Sequence, residues 1–182
     1  MSQIQDIAGL RLVVQDLAHQ DDLIAQINRM FTQTTIVDRR ANPSHGYRAV
    51  HLIVVSREKL IEVQVRTSLQ HMWAESSEKL SDLVDNAIKY GGGDAKIVDI
   101  LASASDLVDK QESSDAGLQG IEARLRKIEI EHLGDISPAD KEALVALAQE
   151  ISERKQTQRL FRSRIVDILG EIVELIPRIK GP

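Results

Sequence analysis

The sequence predicts an α+β protein, a mixed β-sheet with helices packed on it, followed by an all-helical C-terminal region. Two observations carry this. Between residues 4 and 67 short β-branched runs surround one helical stretch, whereas after Ser68 apolar residues recur almost without interruption at three- and four-residue spacing. The chain is therefore expected to divide near Tyr90, into a core of residues 1–90 and a helical region of residues 91–182 that packs or oligomerises. With 42% hydrophobic residues in 182, a real core is within reach.

In order, the pattern predicts a strand over 7–14, an amphipathic helix over 22–31, and strands over 35–38, 47–56 and 60–66. Asn42-Pro43-Ser44-His45-Gly46 is a breaker cluster, and Arg57-Glu58-Lys59 is a short hairpin connection that makes the last two strands antiparallel neighbours. Thr67 and Gln70 form a Thr-x-x-Gln capping box opening a long helix, whose Leu69, Met72, Trp73, Leu80, Leu83, Val84, Ala87 and Ile88 make one core-facing stripe. Gly91-Gly92-Gly93 has no following Gly-Lys-Ser/Thr and no preceding strand, so it reads as a helix stop and linker. Ile97 to Val108 and Leu118 to Ile128 give two further helical stripes, and Ser137-Pro138 opens a helical stretch to about Ile176.

The chain has no cysteine and a formal net charge of −5. Disulfides and thiolate metal sites are excluded, and the overall field repels nucleic acid. No apolar run approaches the ~20 residues of a membrane span, and a cytoplasmic location is expected.

The chemistry concentrates in residues 38–66. Along 60–66 strict alternation sends Ile61, Val63 and Val65 to one face and Glu62, Gln64 and Arg66 to the other. Such a polar face can be a solvated sheet surface or a site. Tyr47, Ala49 and His51 share a face by the same period, and Asp6 stands at the entrance of the first strand. Arg39, Arg40, Arg48, Arg57, Lys59 and Arg66 outnumber Asp38, Glu58 and Glu62, a local surplus opposed to the acidic whole. Two carboxylates from separate strands, with arginines nearby, suit Mg²⁺ and a polyphosphate. His71 and Glu75, one helical turn apart, lack a third ligand and read as a helix face; Trp73 reads as core.

Three ordered segments, Asp6-Ile7-Ala8-Gly9-Leu10-Arg11, Gly46-Tyr47-Arg48-Ala49-Val50-His51 and Glu62-Val63-Gln64-Val65-Arg66-Thr67, resemble the signatures of RelA/SpoT synthetase domains, and Gln70 to Glu75 extends the match. The resemblance covers residues 4 to 90 or so. It implies a nucleotidyltransferase-like mixed sheet flanked by helices. It also implies transfer of the β,γ-pyrophosphoryl group of ATP to the 3′-hydroxyl of GDP or GTP, in the alarmone metabolism of the stringent response. By resemblance Asp6 and Glu62 are the catalytic and Mg²⁺-binding carboxylates, and Glu62 orients or deprotonates the attacking hydroxyl. Tyr47 stacks on guanine, while Arg39, Arg40, His51, Gln64 and Arg66 line the phosphate and ribose surroundings.

The family's Arg-x-Lys-x-x-x-Ser segment and the strand and helices upstream of Asp6, which grip ATP, are not in these 182 residues. The expectation is an intact acceptor half with little or no pyrophosphokinase activity from these residues alone, the chain being a fragment or a decayed paralogue. His19-Gln20-Asp21-Asp22 lacks the adjacent His-Asp pair of the family's hydrolase domain and is expected to be a loop and helix cap. Two alternatives stay open: a tRNA 3′-end pyrophosphokinase relative, which −5 disfavours, and a non-catalytic nucleotide-binding or assembly module. The C-terminal helices can pack on each other or join protomers into a homo-oligomer.

Overall fold

The computed structural model describes residues 8–131 and 137–179. In chain order these form β1 (Gly9–Val14), α1 (Leu17–Met30), β2 (Thr34–Asp38), β3 (Val50–Ser56), β4 (Lys59–Thr67), α2 (Ser68–Leu83), a 3-10 helix (Ile88–Tyr90), α3 (Ala95–Glu131) and α4 (Pro138–Ile179). The strands make one sheet in the order β1-β4-β3-β2, with β1 parallel to β4 and the other neighbours antiparallel. This is the expected class: a mixed sheet flanked by helices, then a helical region.

Register decides which residues share a face. Gly9 pairs with Glu62, Arg11 with Gln64 and His51 with Gln64, so the polar side chains of three strands line one surface. The opposite surface carries Val50, Leu52, Val54, Val63 and Val65, which pack with Ile27, Leu23, Ile24 and Phe31. Leu52, Val54 and Val65 are wholly buried there, each worth about 1.5–3 kcal/mol of hydrophobic stabilisation.

Several boundaries differ from the sequence reading. Helix α1 begins at Leu17 because Asp16 caps it, its carboxylate accepting from the His19 amide at 2.9 Å. The segment His19 to Asp22, expected as loop and cap, is thus helical. Strand β3 starts at Val50 rather than Tyr47, since Ser44 and Tyr47 close a turn on each other (Tyr47 N to Ser44 O, 2.9 Å) through His45 and Gly46 at φ of 53° and 85°. The β3–β4 hairpin needs only Arg57 and Glu58, both at positive φ (49° and 63°), and Lys59 belongs to the strand. Helix α2 stops at Leu83, where Asp85 turns the chain by accepting from the Ala87 amide at 2.8 Å. Beyond it, Gly91 ends the 3-10 helix in the left-handed conformation, φ 76°. The two stripes over 97–128 lie on the single helix α3, for no proline interrupts that stretch.

The chain forms two compact units, one within Met1–Asp109 and Ile165–Pro182, the other Lys110–Arg164. In the first, a second core joins Leu69, Trp73 and Leu80 of α2 to Leu101, Ala104 and Val108 of α3 and to Ile165 and Leu169 of α4. Trp73 is core, as its stripe predicts, and its indole N–H donates to Leu101 O at 2.8 Å. In the second unit α3 and α4 run antiparallel, cross-linked by Gln158 to Ser114 (2.6 Å) and Arg162 to Asp115 (3.7 Å). Among the described residues no helix is long and apolar enough to cross a membrane.

Candidate active site

The site grows from β4 and its junction with α2. Thr67 ends the strand and caps the helix: its hydroxyl accepts from the Gln70 amide (3.2 Å), while the Gln70 side chain accepts from the Thr67 amide (3.3 Å). Gln20 of α1, wholly buried, donates to Val65 O (2.8 Å) and to Gln70 Oε1 (3.0 Å), fixing this junction from the far side of the sheet. The polar end of β4 is thereby held at both edges.

On the open face Arg66, Tyr47, His51 and Glu62 form a continuous chain of contacts. Arg66 Nη2 donates to the Tyr47 hydroxyl at 2.9 Å and to Gln64 Oε1 at 3.1 Å. The Tyr47 hydroxyl lies 3.0 Å from His51 Nε2, and His51 Nδ1 contacts the Glu62 carboxylate. The Arg66 guanidinium also sits over the Tyr47 ring, 4.9 Å from its centroid, and the His51 ring meets that ring edge-on at 5.6 Å. The cation covers one side of the half-buried ring, which also packs against the core formed by α2, α3 and α4. Arg66 is 2% exposed, and its Nε and Nη1 are buried without a hydrogen-bond partner among the described residues. A buried cation with idle donors favours an anion nearby.

The turn that presents Tyr47 is tied to α3. Ser105 donates to Gly46 O (2.6 Å) and accepts from Arg48 Nε (3.0 Å), and Arg48 reaches Asp106 and Asp109, each at 3.3 Å. Arg48 also donates to Arg40 O, which makes it the strut of the whole 40–48 loop. Sequence reasoning assigned Arg48 no role. Its partners Ser105 and Asp106 lie 57 and 58 positions away, so no local pattern announces them.

The other residues singled out from the sequence are placed as follows. Arg39 continues the β2–β3 ladder, its amide donating to Ala49 O at 3.0 Å, so by period it shares the face of His51. Arg40 turns to the α1 side, where it pairs with Asp38 and Asp21, each at 2.6 Å. Burial alone would raise the Asp38 carboxyl, but hydrogen bonds and charge from Arg40 outweigh it and hold it below the usual range. Asp6 lies outside the described residues. Arg11, noted in the first motif but given no role, stands beside Gln64 in register, 3.8 Å from Glu78 of α2. His71 and Glu75 are 3.7 Å apart on α2, and among the described residues no group of three His, Cys, Asp or Glu gathers as a metal site.

Residues 1–81 match a family model described as a region found in RelA / SpoT proteins. Uncharacterised proteins of Mycobacterium bovis and of two strains of Mycobacterium tuberculosis are 34% identical over 149 residues, 79% of this chain and 55% of theirs. The chain thus spans about half the length of these curated relatives. Among solved structures, small alarmone synthetase 1 of Bacillus subtilis bound to its product pppGpp is 28% identical, with a TM-score of 0.50 over 66% of this chain and 65% of that one. The same enzyme in a second crystal structure gives 26% identity and a TM-score of 0.51, over 66% of each chain.

Proposed function

Residues 1–81 are a RelA/SpoT-type synthetase domain, and on that premise we propose that the chain binds a guanine nucleotide and serves pyrophosphoryl transfer from ATP to the 3′-hydroxyl of GDP or GTP. The observation that carries this reading is the chain Arg66–Tyr47–His51–Glu62 along the open face of the sheet. It sets an aromatic platform and a carboxylate within one contact network.

In this reading the Tyr47 ring stacks on guanine. Arg66, Gln64, Arg39 and Arg11 supply a polar and cationic lining for phosphates and ribose. Arg40 enters that lining only by leaving Asp38 and Asp21, and its part is chiefly to pin the loop. Glu62 orients the attacking hydroxyl and accepts its proton. The oxygen donors fit Mg²⁺, which takes one or two carboxylates and completes its shell with substrate phosphates. Glu62 with Asp6 would hold it, and when bound it neutralises polyphosphate charge. A cytoplasmic location suits these substrates. We further infer a homo-oligomer through the C-terminal helices, because α4 exposes Val145 and Leu160, each 67% accessible.

Calorimetric titration with GDP in the presence of Mg²⁺ tests the reading. The wild-type chain should bind. Tyr47→Ala should weaken binding roughly 5- to 150-fold, given about 1–3 kcal/mol for base stacking on an aromatic ring. A wild-type chain with no heat of binding would sink the proposal.

A further inference from the structure

The contacts around Tyr47 have a direction, because the groups differ in what they can donate. A guanidinium carries only donors, so in the 2.9 Å contact the phenol oxygen must accept from Arg66 Nη2. For a neutral His51 the phenol hydrogen then points along its other short contact, the 3.0 Å approach to His51 Nε2, because the opposite tautomer would set a bare Nδ1 lone pair against the Glu62 carboxylate. An imidazole nitrogen that accepts has no hydrogen of its own. The His51 ring hydrogen therefore sits on Nδ1, which contacts a carboxylate, Glu62 Oε1, that can only accept. Every link is satisfied in this one sense.

We propose that Arg66, Tyr47 and His51 form a one-directional hydrogen-bond relay that fixes the Nδ1–H tautomer of His51 and holds one oxygen of the Glu62 carboxylate. His51 is then the positioning residue of the site, and Tyr47 has a second role, through its hydroxyl, beyond the stacking of its ring. The inference deepens the function proposed above and rests on it for the meaning of the Glu62 orientation, but the relay itself is a property of the ligand-free chain.

Burial supports a fixed geometry. The side chains of His51 and Glu62 are 14% and 22% accessible, and Arg66 is 2% exposed, so water competes weakly for these contacts. The register places Glu62 opposite Ile53 and His51 opposite Gln64, so the His51–Glu62 contact is a diagonal across β3 and β4 within one face. With Oε1 engaged by His51, Oε2 is the oxygen left for a metal ion or a substrate hydroxyl. A carboxylate whose partner fixes its plane presents that second oxygen in one direction, as outer-shell hydrogen bonds do for metal ligands generally. The stacking platform and the reacting carboxylate are thus parts of one network.

Nitrogen-15 NMR of the ligand-free chain reads the tautomer, with the His51 signals assigned by their loss in His51→Gln. The expected result is a protonated, pyrrole-type Nδ1 and a hydrogen-bond-accepting Nε2. Tyr47→Phe should shift the Nε2 resonance toward that of a free acceptor, and Glu62→Gln should move the Nδ1 proton upfield. A protonated Nε2 in the wild type, as the Nε2–H tautomer or the imidazolium, would overturn the relay, as would an unchanged Nε2 signal in Tyr47→Phe. Circular dichroism of each variant establishes that it is folded, and the tautomer of the wild type decides the matter where a variant is not. GDP titration separates this from the function. Tyr47→Ala, which removes the ring, should weaken GDP binding, whereas the tautomer is read in the wild type before any nucleotide is added. Absence of GDP binding with the Nδ1–H tautomer present would overturn the functional reading and leave the relay standing.

Discussion

Tyr47 can face the open side of the sheet only because the residue before it has no side chain. Gly46 sits at φ 85°, and a Cβ there would lie 2.7 Å from Trp73 Cζ2, an atom of a buried and hydrogen-bonded ring. Gly46→Ala is therefore expected to cost about 1–3 kcal/mol, from overpacking and backbone strain together. Urea denaturation would read the loss, and GDP titration should fall with it because Tyr47 is displaced. At this scale a two-residue period sorts Glu62, Gln64 and Arg66 onto one face of β4, whereas Tyr47 precedes β3 and meets His51 and Arg66 through its turn. The roles of Arg48 and Arg40 were not legible in advance. Both look like free cations in the sequence, yet Arg48 is spent on Ser105, Asp106 and Asp109, and Arg40 on Asp38 and Asp21.

Among elements, the β4–α2 junction and the far end of the chain behave differently. The junction is local: Thr-x-x-Gln predicts the cap, and the capping box is present. What the motif does not contain is Gln20, which reaches the same Gln70 from α1 across 50 positions. Helix α4 shows the reverse. Its apolar stripe says that something covers it, and only folding brings Ile165 and Leu169 to the core built by α2 and α3. Leu169 is 1% exposed, so Leu169→Ala should destabilise the chain by about 2–5 kcal/mol. Thermal or urea unfolding monitored at Trp73, which shares that core, would report it. An unchanged midpoint would mean that this part of α4 is not packed there.

For the whole molecule, the family match ends at residue 81, while the first compact unit takes in the start of α3 and the end of α4. The sheet-bearing part thus depends on helices far outside its signature motifs. Among the described residues of the second unit, Leu118 and Ile151 are the buried apolar side chains, against exposed Ile121, Val145, Leu147, Leu160 and Phe161. Self-association through this surface should appear in sedimentation equilibrium as a species heavier than 20.3 kDa, and Val145→Glu with Leu160→Glu should return it toward the monomer. A wild-type chain that sediments as a monomer at micromolar concentration would remove that inference.

Secondary structure, strand alternation and the ordered motifs were enough to place the chain in its fold class and to bring most of the site onto one face. Those signals arise from neighbours two to four positions apart, where side-chain direction follows directly from backbone period. Three things waited for tertiary structure: the sheet order that sets β4 between β1 and β3, the pairing of each arginine, and the single sense of the contacts from Arg66 to Glu62. Each depends on groups far apart in sequence. Such partners are chosen by burial and by the pairing of most buried polar groups, conditions that no local window contains.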